Sequence, residues 1–559
     1  VDCDFVLCTE IISPQDGDTN VPANSDIRWN PAPNATGYIV SIRREDDAGN
    51  VLQIVKDNED VGNVVGVTFT NEFIPGDNVF VTVTPYNASG SATGCEEIQF
   101  KTIASWVNSP EAFKITIDTR NLDRSSSNAN QIILEVFRGL TYNYSVDWGD
   151  NQYNNSVSAE ITHTYLNPGE YTIAIIGDYP AHVYNRTDRD NKKLISVDQW
   201  GTHLWQTMQQ AFWFCDNMIY NATDVPDLSN VTSMARMFRR NKAFNGNINN
   251  WDVSNVIDMR NMFYQAEIYN QPLNSWNVSN VVNMENMFNT AKAFNQPLNS
   301  WNVSKVTDMN DMFNDSEAFN QQINDWNVSN VTDMKRMFAN ASRFNQPLDK
   351  WNVSNVTTME EMFNNASSFN GSLNDWTMGK VVNLKGLFTS AVNFNQPLDK
   401  WNVSTVTDMR STFQNARAFN QPLNDWNVSN TVNMTSMFSR ASTFNQPLDK
   451  WNVSSTLSMS RMFSSASAFN QDISKWEVTK VRFMDNMFAG ATNFNQPLVS
   501  WDVNSVVNMS GMFFAATSFN QPLNNWDVSA VANMSSLFQQ ATAFNQPLSD
   551  WDVSSVTLM

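Results

Sequence analysis

The sequence predicts two N-terminal all-β sandwiches followed by a solenoid of 25-residue repeats, each built from one short strand and one short helix. Tryptophan recurs every 25 residues from Trp251 to Trp551, and a fixed period of this length is typical of stacked repeats. Before the repeats, short alternating apolar segments are separated by Gly, Pro and Asn turns, which is typical of a β-sandwich.

The first sandwich is predicted over residues 1–105. Its expected strands are Asp26–Trp29, Gly37–Arg43, Val64–Thr70 and Val79–Pro85. The segments IRWNPAPNATGYIVSI and VFVTVTPYNASGSATGC resemble a bacterial fibronectin type III module, which has an immunoglobulin-like fold. In such a module we expect Cys8 to pair with Cys95, tying the first strand to the last. Cys3 is then free or paired elsewhere.

The second sandwich is predicted over residues 106–191. Its YSVDWGD and THTYLNPGEYTI segments resemble the PKD-type immunoglobulin-like domain of secreted bacterial proteins, although Asn151 stands where that family usually carries Gly. Asp147 and Asp150 either cap the turn or bind Ca²⁺. The alternating oxygen ligands of an EF-hand loop are missing, so no metal site is predicted and the pair is only a calcium candidate.

Residues 192–250 are expected to be atypical capping repeats, because solenoids need distinct terminal units. Cys215 falls where later copies carry Ala, which indicates a packed thiol. The regular repeats occupy 251–559 and stop in the middle of a unit, so we expect the chain to be part of a longer protein.

Within one repeat, Leu298, Trp301 and Val303 have the spacing of a leucine-rich-repeat strand, with Trp and Val on one face. Met309, Met312 and Phe313 are spaced three and four residues apart, which is one face of a short helix. The predicted fold of this part is therefore leucine-rich-repeat-like.

Two polar stripes follow from that fold. Residues that alternate with buried strand positions point outward, and they form a candidate binding stripe: Asp252, Asn277, Asn302, Asn327, Asn352, Asn402, Asn427 and Asn452. A second set follows the repeat's last Phe and is predicted to be a buried structural ladder that satisfies backbone groups: Asn270, Asn295, Asn320 and Asn345. The alternative for this second set is a stripe of ligand-binding amides. The variable pair at Asn310 and Asp311 is predicted to lie on the exposed helix surface.

The phrase FNQPL…WNVSNVTDM…MF resembles the BspA-like leucine-rich-repeat surface proteins of bacteria, over Trp200 to Met559. This resemblance implies a secreted, cell-surface protein that acts in adhesion or partner binding through a multivalent solenoid face. It also implies export as type IX secretion cargo. The expected partners are an extracellular protein or polysaccharide and, during export, the outer-membrane secretion machinery. A passive stalk that presents another module is the alternative, as is a polysaccharide-binding surface protein.

Composition excludes several other classes. A net charge of −21 disfavours nucleic-acid partners, which need a basic surface. No apolar run is long enough to span a membrane. The three histidines lack nearby nucleophile or metal-ligand partners in the sequence, and an array of near-identical repeats offers no singular site. We therefore expect no enzymatic activity and no cofactor.

Overall fold

The structure is a computed structural model that describes residues 5–559, except for 20, 23–24, 70–72, 74–75, 124–125 and 185–188. Cys3 and Thr70 lie outside the described residues. The chain forms two compact units, Val1–Trp205 with Tyr220–Asp227 and Gln206–Ile219 with Leu228–Met559. Within the described ranges no helix is long and apolar enough to cross a membrane.

The first eight strands of unit 1 form two sheets around a shared core. A three-stranded sheet has the order β1-β2-β5, and a larger one has the order β4-β3-β6-β7 with β8 also paired to β6. Trp29 and Tyr38 are buried between them, with ring centroids 5.5 Å apart. The strands are β1 (Ile11–Ser13), β2 (Ile27–Trp29), β3 (Gly37–Glu45), β4 (Val51–Gly62), β5 (Gly66–Val67), β6 (Asn78–Asn87), β7 (Gly90–Ser91) and β8 (Ile98–Lys101).

Cys8 and Cys95 form a disulfide across a sequence separation of 87 residues, as the sequence predicts. It ties the segment before β1 to the segment before β8. Cys215 is a free, buried thiol, and burial raises its pKa well above the usual range. The thiol is therefore held in its neutral form, as a packing group would be.

The remaining strands of this part of the chain form a two-stranded sheet, β10-β13, and a six-stranded sheet of order β12-β11-β14-β9-β15-β16. Alternate residues of β9 are fully buried, which is the period of two expected of a half-buried strand. The strands are β9 (Phe113–Asp118), β10 (Gln131–Leu134), β11 (Asn143–Asp147), β12 (Tyr153–Val157), β13 (Ile161–Thr164), β14 (Glu170–Asp178), β15 (Leu194–Gln199) and β16 (Ile219–Tyr220).

A buried histidine makes unit 1 sensitive to acid. The His182 ring is 2% exposed and packs against the Phe113 and Tyr184 rings, and its Nδ1 lies 3.0 Å from the Tyr179 hydroxyl. Burial lowers the pKa of His182 to about 3. The unfolded chain therefore binds a proton below about pH 6.5 that the folded chain does not bind, and stability falls as the pH falls from there towards 3.

Replacing His182 with Gln removes this titration. Between pH 6.5 and pH 5, we expect the native protein to lose about 2 kcal/mol more unfolding free energy than His182→Gln loses. Urea unfolding of both proteins across this range measures the difference. Parallel pH profiles would contradict a buried, neutral His182.

The repeats contain no helix, so the predicted leucine-rich-repeat-like solenoid with one strand and one helix per unit is wrong. Among the described residues the only helical segments are single 3-10 turns at Trp106–Asn108 and Asp190–Lys193, both in unit 1. The strand is also reduced, because each repeat contributes one isolated parallel bridge, such as Asp308 to Asp333. Apart from these two turns, the described residues form β-strands, isolated bridges, turns and irregular segments.

Each repeat is a coil of consecutive tight turns. Where a helix was expected, the N–H of Met312 bonds the carbonyl of Met309, and the N–H of Ser316 bonds that of Phe313. The third residue of each of these turns is left-handed, with φ of 56° at Asp311 and 57° at Asp315. Left-handed residues four positions apart interrupt any right-handed helix, although they leave the apolar spacing unchanged.

Alternate backbone N–H groups of the coil bond to the next coil. The N–H groups of Asp311, Phe313 and Asp315 donate to carbonyl oxygens 24 residues further on, at 2.8–2.9 Å. The intervening N–H groups are used inside the coil, in the turns. The segment therefore works as a parallel ladder built from turns, and no coil is complete without its neighbours.

Aromatic columns fill the centre of the stack. The Trp301 and Trp326 rings are 6.4 Å apart and 4° from parallel, and the Phe313 and Phe338 rings are 5.7 Å apart. From Trp276 to Trp551, each indole N–H of the column also donates across the stack, as Trp301 Nε1 does to the Leu273 carbonyl at 2.9 Å. Tryptophan is thus suited to the site because it combines a large buried ring with one polar handle.

Candidate interaction surface

The candidate binding stripe is exposed along its whole length, and we call these eight residues the amide row. In every one the Oδ1 atom accepts a hydrogen bond of 3.0–3.2 Å from the backbone N–H two residues later. This is an Asx turn. The members are Asp252, Asn277, Asn302, Asn327, Asn352, Asn402, Asn427 and Asn452.

The Asx turns orient the amide row. Because Oδ1 is used internally, the Nδ2 group of each asparagine is available, and within the described residues these Nδ2 groups have no hydrogen-bond partner. At the first position, hydrogen bonds from the Ser254 hydroxyl and N–H hold the pKa of Asp252 below its usual range. The row is interrupted by Thr377, which occupies the position between Asn352 and Asn402. At its asparagine positions the row therefore presents one hydrogen-bond donor group in register on each coil.

A second exposed row lies five residues further along each coil and was missed in the sequence. It is made of β-branched and other apolar side chains, and the Val382 side chain is 46% exposed. Its threonines are fixed across the stack, since Thr332 Oγ1 donates to the Thr307 carbonyl at 3.2 Å. The members of this β-branched row are Ile257, Val282, Thr307, Thr332, Thr357, Val382, Thr407, Val432 and Leu457. The signal in the sequence is the same 25-residue period, read at the residue after each buried Val or, at Thr431 and Thr456, each buried Thr.

Of the variable pair predicted to be exposed, Asp311 is instead buried and used between coils. Asp311 is 4% exposed, and its Oδ2 accepts from Arg336 Nη2 of the next coil at 2.9 Å. Two coils further on, the Glu360 carboxylate lies 2.9 Å from Lys385 Nζ and 3.5 Å from Lys335 Nζ. The hydrogen bond to Glu360 raises the pKa of Lys385 above its usual value. The expectation that Asp311 is free to meet a partner is therefore wrong.

The asparagines after the last Phe form a ladder of side-chain to backbone bonds. Asn270 Oδ1 accepts from the Asn295 N–H, and Asn295 Oδ1 accepts from the Asn320 N–H, both at 2.9 Å. Asn320 bonds Asn345 in the same way. The side chains are half-buried or exposed, where the sequence suggested burial. They satisfy backbone groups that face the neighbouring coil, which is a structural use of the amide oxygen.

The two aspartates weighed as a calcium candidate are engaged within unit 1. Asp147 Oδ2 accepts from the Ser105 hydroxyl and the Trp106 N–H, at 2.8 and 3.0 Å. Asp150 Oδ2 lies 2.9 Å from His163 Nε2. In the described part of the chain, no group of three or more His, Cys, Asp or Glu side chains is placed to hold a metal ion.

Comparison with known proteins identifies the repeats. The family model described as "Mycoplasma protein of unknown function, DUF285" matches at 206–323, 293–397, 371–476 and 458–559. These overlapping matches run from 206 to 559, which is more than half of the chain. A comparison with curated proteins gave no match. The chain therefore belongs to the DUF285 family of BspA-like repeats, and this membership is consistent with a repeat surface protein.

Proposed function

We propose that this chain is a secreted, surface-displayed binding protein that attaches to an extracellular protein or polysaccharide through the amide row. The observation that carries the proposal is the exposure of one hydrogen-bonding side chain at the same position of eight coils. A partner that engages several coils gains avidity without any new type of contact.

The rigidity of the row supports this role. Each side chain is fixed by its own Asx turn, so little rotamer freedom remains to be lost on binding. The neighbouring tryptophan rings hold successive coils in register, with 6.4 Å between the Trp276 and Trp301 rings and 5.9 Å between those of Trp376 and Trp401. The β-branched row lies on the same coil segment and would supply apolar contact beside the donors.

A surface role also accords with other features of the chain. The Cys8–Cys95 disulfide is typical of proteins that fold outside the cytoplasm. The fibronectin type III-like and PKD-like segments would then act as spacers that hold the repeats away from the cell, and type IX secretion would be the route of export. The chain would act as an adhesin without catalysis.

Asparagine-to-aspartate substitution gives a sharp test of the row. Asp252 already occupies one position with the same Asx turn, so the backbone contact survives while the Nδ2 donors are lost. The variant carries four substitutions: Asn327→Asp, Asn352→Asp, Asn427→Asp and Asn452→Asp. We expect its affinity for whole cells or arrayed glycans to fall by about tenfold or more. Titration of the full chain on both surfaces measures this.

The matched control adds the same four charges to the same coils, fifteen residues further on. It consists of Ser342→Asp, Ser367→Asp, Ser442→Asp and Ser467→Asp, and we expect it to bind like the native chain. Equal weakening by both variants would show that added negative charge alone reduces binding, and it would exclude the amide row as the binding site. A native chain that binds neither surface would favour the passive stalk.

A further inference from the structure

An unusual concentration of positive charge lies at the start of the repeat stack. Residues 235–242 read ARMFRRNK, so half of them are basic in a chain whose net charge is −21. Arg236, Arg239 and Arg240 lie in one coil, and all three are half-buried. We call these three residues the arginine patch.

Aromatic rings of adjacent coils hold two of the three guanidinium groups of the arginine patch. Arg239 is stacked between aromatic rings of the two adjacent coils, with Cζ 5.8 Å from the Trp213 ring centroid and 4.7 Å from that of Tyr264. Arg240 lies over the Phe214 ring at 4.3 Å. Burial, together with the nearby charges of Arg236 and Arg240, lowers the pKa of Arg239. The aromatic faces thus position the cations without neutralising them.

Several other arginines and lysines of the stack are paired with carboxylates, and others bond amide oxygens, as Lys305 does with Asn280. Arg336 bonds Asp311, Arg410 bonds Asp408, and Lys350 bonds Asp325, all within 3 Å. Among the described residues, no carboxylate lies within ion-pair distance of Arg236, Arg239 or Arg240. The Nε atoms of all three are enclosed and have no hydrogen-bond partner there. Three clustered, partly desolvated guanidinium groups without a counter-charge are unfavourable unless an anion joins them.

We propose that the arginine patch is a binding site for a phosphate or sulfate group. Guanidinium groups match the oxygens of such an anion through paired N–H donors, and three of them can surround one tetrahedral group. Arg239 is held by its two ring contacts, so Arg236 and Arg240 are the residues that would close on the anion. The group can arrive as a free ion or as a substituent of a polysaccharide. This site is independent of the amide row.

Calorimetric titration of the full chain with inorganic phosphate, inorganic sulfate, dextran sulfate and poly-glutamate tests the site. Arg236→Gln and Arg240→Gln should each weaken binding about tenfold or more, since a hydrogen bond to a charged group contributes about 1.5–3 kcal/mol. Arg236→Lys and Arg240→Lys keep the charge and lose the paired donors, so they should show intermediate affinity. Unchanged thermal unfolding of the Lys variants shows that they are folded.

Arg410→Gln is the matched control, because it removes one positive charge from a coil where the arginine is already paired, and it should bind like the native chain. We call binding patch-dependent when Arg236→Gln or Arg240→Gln weakens it. Patch-dependent binding of the inorganic ions indicates a free anion as the ligand. Patch-dependent binding of dextran sulfate alone indicates a polymer-borne group. Binding of poly-glutamate alone would assign the patch to acidic peptides and overturn the proposal. So would equal losses in Arg410→Gln, or an absence of patch-dependent binding.

Discussion

Replacing Trp401 with Ala is expected to lower the free energy of unfolding of the repeat stack by about 3–5 kcal/mol. Trp401 is 3% exposed and stacks on Trp376 at 5.9 Å and on Trp426 at 6.2 Å. Its Nε1 donates to the Leu373 carbonyl at 2.9 Å. Loss of the ring leaves a large cavity and weakens both flanking interfaces, because a coil in the middle of a stack has two neighbours.

Two comparisons separate the contributions of the ring and of its N–H. Trp401→Phe keeps an aromatic ring and removes one of the two N–H donors to the Leu373 carbonyl, which retains the bond from the Trp376 N–H. A smaller loss, with about 1 kcal/mol from the missing hydrogen bond, is therefore expected. Trp551→Ala removes a ring that is only half-buried and should have the smallest effect. Urea unfolding of the three variants gives the order. Equal losses for Trp401→Ala and Trp551→Ala would contradict stacking as the source of stability.

Removal of the Cys8–Cys95 disulfide is expected to destabilise unit 1 by about 4–5 kcal/mol in the chain-entropy account. The bridge closes a loop with a sequence separation of 87 residues, and long loops lose the most entropy when the unfolded chain is cross-linked. The variant is Cys8→Ser with Cys95→Ser. Urea unfolding, followed by hydrogen exchange of β2 and β6 amides, measures the loss in this unit.

Reduction of the native protein and of the double variant provides the control for this experiment. Reducing agent added to the native protein should reproduce the effect of the double variant, since Cys8 is exposed, and should not change the double variant further. The exchange of Phe313 and Met337 amides in the repeats should stay the same. A loss below about 1 kcal/mol would show that the disulfide contributes little by constraining the unfolded chain.

The apolar positions of the repeat were predictable from the sequence because they recur with one period. Leu298, Trp301, Val303 and Phe319 are all at most 3% exposed. Their burial requires only that one side of each coil faces inward, whatever the backbone conformation. The outward position of Asn302 follows from the same alternation, since its neighbours Trp301 and Val303 both face the core.

The helix was predicted wrongly because two different backbones give the same apolar spacing. Met309, Met312 and Phe313 lie on one face of a helix, but consecutive turns closed by left-handed residues also direct them to one side. A signal was present in the recurrence of Asn, Asp, Ser and Gly at two positions four residues apart, as in Asn486 and Gly490. Asn, Asp and Gly tolerate positive φ better than other residues do.

Contacts between coils were beyond a sequence argument. The pairing of Asp311 with Arg336 and the stacking of Arg239 on Tyr264 both depend on the register of adjacent coils. The backbone hydrogen bonds between coils fix that register. The predicted helix would have used the same N–H groups within one repeat, so it gave no information on the register. For the same reason the arginine patch could not be recognised from the sequence.

Gly490→Ala tests most directly whether the repeats are built from turns. Gly490 has a φ of 68°, and an added Cβ would lie 3.2 Å from the Ser465 hydroxyl oxygen. In this left-handed position alanine should destabilise the stack by about 1–2 kcal/mol. Gly490→Asn, which copies Asn415 at the same position with φ of 58°, should cost less.

The sign of the effect separates the two backbones. In a helix interior the same Gly490→Ala change would stabilise the protein by about 0.5–1 kcal/mol, because alanine is the better helix former. The measurement is the urea unfolding free energy of native, Gly490→Ala and Gly490→Asn proteins. A loss of stability with Ala and a smaller one with Asn is the result expected of turns. A gain with Ala would contradict the left-handed turn and the coil that depends on it.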